Sequence, residues 1–97
     1  MIPRQVELSY QDSMVQSIES RFESDGVTIL KDSDPRVQYI ERILRPLIQS
    51  CVYFSPECEY YMSQMEILVV DDDEINAYTT MGSIIVVYTG LLNYFKD

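Results

Sequence analysis

Four consecutive carboxylates, Asp71-Asp72-Asp73-Glu74, are the residues whose type and spacing most directly suggest chemistry. Clustered carboxylate oxygens are the ligands that calcium prefers, and paired carboxyl groups can transfer protons. The EF-hand loop, however, needs acidic residues at alternate positions, then a glycine and a distant glutamate. This run has no such glycine, and no group near it in the sequence completes an acid–base pair. We therefore predict a solvated turn between antiparallel strands here, and no catalytic or metal-binding residue in the chain.

Histidine is absent from the chain, and the two cysteines are Cys51 and Cys58. Because histidine is the commonest general base and metal ligand, we expect no cofactor to be held by these residues alone. The cysteines lie seven positions apart, which is not the C-x-x-C spacing of zinc and redox motifs. Free thiols and a disulfide closing a short loop both remain open, and so does the cellular compartment.

The net charge is −9, from 16 acidic and 7 basic residues, and the basic residues are scattered along the chain. Nucleic-acid binding requires clustered lysine and arginine, so a nucleic-acid partner is not expected. No apolar run reaches the roughly 20 residues of a membrane-spanning helix, so no membrane span is predicted. The length of 97 residues suits one small domain.

Two helices are predicted in the first half of the chain. Residues 5–22 carry an apolar residue at every fourth position, and Gly26 suits the turn that follows the helix. Residues 34–49 begin with Asp34 as N-cap and Pro35 in the first turn, and Pro46 should kink or end this helix. The intervening residues 27–30 fit either a short strand or an apolar loop. An aromatic loop at residues 50–62 is expected to close over the core.

The second half predicts strands at residues 65–71, 75–80 and 84–88, because these runs are rich in β-branched and aromatic residues. A reversal around Gly82 separates the last two strands, and residues 91–95 read as the start of a further helix. Short links favour antiparallel neighbours. The fold class is therefore α+β, with two leading helices, a small, mainly antiparallel three-stranded sheet and the start of a third helix.

Residues 75–92, INAYTTMGSIIVVYTGLL, resemble the segment that precedes the active-site helix in zinc metallopeptidases of the CAAX prenyl protease and HtpX family. The matching positions are Asn76, Ala77, Tyr78, Gly82, the strand 84–88 and the run Thr89-Gly90-Leu91-Leu92. The chain departs from the family pattern at Met81 and Ser83, where the family often has proline and a second glycine. The resemblance extends, more weakly, over about residues 30–95.

The resemblance implies a partial zincin-like domain of the gluzincin type. In the family, the next helix carries HExxH, whose histidines bind zinc and whose glutamate activates the bound water. Those residues are absent here, so residues 1–97 are expected to be one incomplete metallopeptidase-like domain that is inactive alone. Zinc would belong to the full-length domain. The resemblance also implies that Asn76, Ala77 and Tyr78 bind substrate by strand addition at the edge of the cleft. The alternative is that Asn76 satisfies a turn while Ala77 and Tyr78 pack.

Two other functions remain open at this point. The chain could be a complete non-catalytic module that binds peptides or regulates a related protease, or an acidic α+β domain with a structural role only. The residues of this chain therefore do not decide whether it is part of an enzyme. Apolar surface around Ile84 to Leu92 is expected to be exposed, which predicts self-association or pairing with a missing C-terminal part.

Overall fold

The computed structural model describes residues 4–53, 55, 57, 64–80 and 84–95, without the side chains of residues 4–9 and 52. Over these ranges the fold is α+β, as predicted. The elements, in chain order, are α1 (Arg4–Ser24), β1 (Thr28–Ile29), α2 (Pro35–Gln49), a 3-10 turn (Ser50–Tyr53), β2 (Glu66–Asp71), β3 (Ala77–Thr80), β4 (Ile84–Tyr88) and α3 (Thr89–Phe95).

The sheet has four described strands in the order β1-β2-β4-β3. The prediction of three mainly antiparallel strands is wrong in these two details. β2 and β4 are parallel, with Leu68 opposite Val86, while β3 is antiparallel to β4 and β1 is antiparallel to β2. These details differ from the prediction because β4 lies between β2 and β3 in the sheet, so β2 and β3 follow each other along the chain without pairing. Short links fix which strands follow each other along the chain, but not which become neighbours in the sheet.

The central strands are buried on both faces of the sheet. On one face, Ile18 and Phe22 of α1 pack against Val70, Val86 and Tyr88. On the other face, α2 contributes buried Val37 and Ile40, which pack with Ile67, Val69 and Val87, and α3 adds partly buried leucines. Parallel strands that are covered on both sides need apolar residues at successive positions, which explains the unbroken runs in β2 and β4.

Local sequence signals determine the helix ends. The side chain of Asp34 caps α2 by accepting a hydrogen bond from the backbone N–H of Arg36 (2.9 Å). α2 continues past Pro46 to Gln49, so the proline does not end the helix at its own position. α1 ends before Gly26, whose φ of +76° is the conformation that glycine adopts most readily.

Several predictions concern segments that the structure covers only partly. In the loop 50–62, Tyr53 is exposed, so the prediction that aromatic residues here close over the core is wrong for Tyr53. Phe54, Tyr60, Tyr61 and Cys58 lie outside the described residues, as does the reversal at Gly82. None of the helices in the described ranges has the length and apolar character needed to cross a bilayer.

Candidate peptide-binding edge

The strand β3 forms one edge of the described sheet, because β4 is its neighbour on one side and no strand of the described ranges pairs with the other side. The backbone N–H of Tyr88 donates to the carbonyl oxygen of Asn76 (3.1 Å). Asn76 therefore belongs to a hydrogen-bonded pair, and antiparallel pairing alternates along the strand. Continuing the register, Tyr78 and Thr80 also turn their backbone groups toward β4. The backbone N–H and C=O of Ala77 and Thr79 consequently point away from the sheet.

The three predicted site residues, Asn76, Ala77 and Tyr78, differ in the direction of their backbone groups. Tyr78 packs on the α1 face, with its ring centroid 6.3 Å from that of Tyr88. Asn76 and Tyr78 thus hold β3 onto the sheet, and Ala77 alone of the three presents backbone groups to solvent. Thr79 was missed as a candidate, although its exposed position two residues after Ala77 follows from the period of a strand.

An apolar groove of 280 Å³ lies on the other face of the sheet, beside β3. Tyr39 and Ile43 of α2 form one wall, Leu91 and Phe95 of α3 form the other, and Ala77 and Ile85 lie in its floor. The prediction that apolar surface is exposed around Ile84 to Leu92 is wrong for most of that stretch. Ile84 and Val86 are fully buried, whereas Ile43 and Phe95 at the groove are exposed by 46% and 75%.

The acidic run connects β2 to β3 and packs against the start of α3. The hydroxyl of buried Thr89 accepts a hydrogen bond from the backbone N–H of Asp72 (3.0 Å) and lies 3.1 Å from its carbonyl oxygen. The backbone N–H of Gly90 donates to the same carbonyl oxygen (2.8 Å). Asp73 and Glu74 are exposed, as a solvated turn requires. The turn does not join neighbouring strands, however, because it passes over the end of β4.

Arg36 forms ion pairs at the end of β2, on the side of the sheet away from β3. Its guanidinium contacts Asp34 (3.0 Å) and reaches Asp71 (3.5 Å). The hydrogen bond from Arg36 lowers the pKa of the Asp34 carboxyl below its usual 3.8, and burial raises the pKa of the Tyr88 phenol. No three histidine, cysteine, aspartate or glutamate side chains of the described part of the chain are grouped as metal ligands would be.

Comparisons of the chain with protein-family models, with curated proteins and with solved structures found no match. The metallopeptidase resemblance therefore stays a prediction, and the β3 edge and the groove beside it are the features from which we infer a function.

Proposed function

We propose that this chain binds extended peptides by strand addition to β3, as the sheet and substrate-binding part of a zinc metalloendopeptidase domain. The observation that carries the proposal is the outward orientation of the backbone groups of Ala77 and Thr79, which follows from the pairing of β3 with β4. A peptide strand laid beside them would continue the sheet. The resemblance of residues 75–92 to the family segment supports the same use of this strand.

The strength expected of such an edge is modest. Each backbone hydrogen bond contributes about 0.5–1.5 kcal/mol net, and two outward residues supply about four donors and acceptors. Association and the ordering of a flexible peptide oppose this gain by several kcal/mol. Backbone pairing alone should therefore give weak binding, and side-chain contacts are needed for useful affinity.

The test removes one edge donor without disturbing the sheet. Thr79→Pro deletes the N–H that points to solvent, and proline is tolerated on an edge strand in that orientation. Thr79→Ala is the matched control because it keeps the N–H. Binding of a labelled extended peptide, followed by fluorescence anisotropy, should weaken about tenfold in Thr79→Pro, the effect of about 1.4 kcal/mol, and stay near wild type in Thr79→Ala. Equal binding by all three proteins would refute strand addition. Asn76→Pro is a poorer test, since the backbone of Asn76 pairs with β4.

The peptidase part of the proposal concerns residues outside these 97. We expect the 97-residue chain to leave casein intact when zinc is added, because HExxH is not in its sequence. The intact mass of the native product in its own cells tests the larger assignment. A longer product with HExxH in the next helix would support the peptidase, whereas a 97-residue product that binds peptides without cleaving them would favour a regulatory peptide-binding module.

A further inference from the structure

We infer that the groove between α2 and α3 receives a side chain of the bound peptide, and that the ligand is an extended segment with a bulky apolar residue opposite Ala77 and a basic residue near Glu74. This inference rests on the proposed strand addition and names the class of peptide that the edge selects. It depends on three observations: the position of Ala77, the apolar walls of the groove and the exposed acidic run that precedes β3.

Ala77 is part of both the open edge of β3 and the groove beside it. Its backbone groups point to the open edge, while its side chain lies in the floor of the groove. Residues directly opposite each other on paired strands place their side chains on the same face of the sheet. The peptide residue paired with Ala77 therefore extends its side chain over the groove. A methyl group at position 77 leaves this space open for that side chain.

The lining of the groove determines which side chain fits. Tyr39 and Ile43 on one wall and Leu91 and Phe95 on the other present apolar atoms. A volume of 280 Å³ lies just below the range of about 300–1,000 Å³ for small-molecule pockets, which suits one or two amino-acid side chains. An apolar side chain would cover walls that are now exposed to water, whereas a polar side chain would lose hydration without finding a partner.

The exposed carboxylates before β3 indicate which residue should flank the apolar residue of the peptide. Asp73 and Glu74 are exposed and form no ion pair with any residue of the described ranges, whereas Arg36 is held by Asp34 and Asp71. Before β3 begins at Ala77, the chain runs from exposed Asp73 and Glu74, so a peptide strand that continues past Ala77 in that direction approaches the acidic run. A lysine or arginine in that part of the peptide would be attracted by these exposed carboxylates. A second copy of this chain would instead bring another net charge of −9 to the same place.

The binding experiment uses the full chain and a labelled peptide, Thr-Lys-Thr-Leu-Thr-Lys-Thr, which places a lysine two positions from the leucine in either strand direction. Peptides with alanine for leucine, or with glutamate for both lysines, are the ligand controls. We expect the leucine peptide to bind about tenfold more tightly than the alanine peptide, and the glutamate peptide to bind more weakly still. Added salt should weaken binding of the lysine peptide.

Two protein variants test whether the preference for leucine over alanine depends on the groove. Ile43→Glu places a charge on the groove wall, and Leu47→Glu places the same charge one helical turn further along α2, at an exposed residue that does not line the groove. Both residues are exposed, so both variants should fold. We expect Ile43→Glu to remove the preference for leucine over alanine, and Leu47→Glu to keep it.

The outcomes separate this inference from the proposed function. If leucine and alanine peptides bind equally and Thr79→Pro weakens both, strand addition holds and the role of the groove is refuted. If Ile43→Glu weakens binding but Thr79→Pro does not, the groove binds side chains without strand addition, and both proposals fall. A dimer at neutral pH that Ile43→Glu disrupts would assign the groove to a second copy and overturn the inference.

Discussion

At the scale of single residues, Gly90 has the most specific requirement. A Cβ at this position would overlap the backbone carbonyl oxygens of Asp73 and Glu74, which cannot turn aside as a flexible side chain could. Gly90→Ala should therefore displace the acidic turn and lower the free energy of unfolding by about 1–3 kcal/mol in urea denaturation, although alanine favours helices. Asn93→Ala, at an exposed position of the same helix, is the control and should change stability by less than about 0.5 kcal/mol. A Gly90→Ala protein as stable as wild type would show that the turn is not held against α3.

Thr89 holds the same turn through its hydroxyl group. This residue is 2% exposed, and its hydroxyl accepts from the Asp72 N–H and donates toward the Asp72 carbonyl or the Asp71 carboxylate. Thr89→Val keeps the shape but removes these bonds, so we expect a loss of about 1–2 kcal/mol in the free energy of unfolding. Thr89→Ser keeps the hydroxyl and loses only a methyl group, which should cost about 0.8 kcal/mol. If serine proved more damaging than valine, packing rather than hydrogen bonding would be the role of Thr89.

At the scale of elements, the cap of α2 predicts a pH dependence. Asp34 bonds both the backbone N–H and the guanidinium of Arg36, and the guanidinium lowers the pKa of Asp34 below 3.8. A carboxyl whose pKa is lower in the folded state contributes stability above its unfolded pKa and loses it as the pH falls through the folded pKa. Wild type should therefore melt above Asp34→Asn at neutral pH, and the difference should shrink as the pH falls below 3.8. Asp34→Ala, which also lacks the cap, should melt lower than Asp34→Asn throughout. A difference in melting temperature that stays constant across this pH range would refute the role of the charge.

The sequence predicts most of the helices and strands, but it does not predict the order and pairing of the strands in the sheet. The cap Asp34-Pro35 and the apolar runs of β2 and β4 are local signals, and both helices and all three longer strands were predicted within a few residues. The order of the strands depends on long-range packing. No local sequence pattern indicated that β2 would pair in parallel with β4. β1 has two residues, and the sequence does not show that they pair with β2, so residues 27–30 fit a strand and a loop equally well from sequence alone.

The candidate site was predictable to the same extent. Residues 76–78 were placed at an edge strand, and β3 lies at an edge of the described sheet. Which of these residues turn their backbone outward depends on the register with β4, which directs the backbone of Asn76 and Tyr78 toward β4 and that of Ala77 and Thr79 away from the sheet. The groove was not predicted, because its walls come from α2 and α3, which are distant in the sequence and meet only in the fold.

At the scale of the whole molecule, charge and the apolar groove act in opposite directions. A net charge of −9 makes copies of the chain repel one another, whereas exposed Ile43 and Phe95 favour association. Because repulsion vanishes near the pI of about 4.2, we expect a monomer at neutral pH and low salt, and association as the pH approaches that value. Light scattering across this pH range measures the change. Ile43→Glu should delay the association more than Leu47→Glu, although both variants add one carboxyl group. Equal behaviour of the two variants would mean that charge loss alone, without the groove, controls how this chain associates.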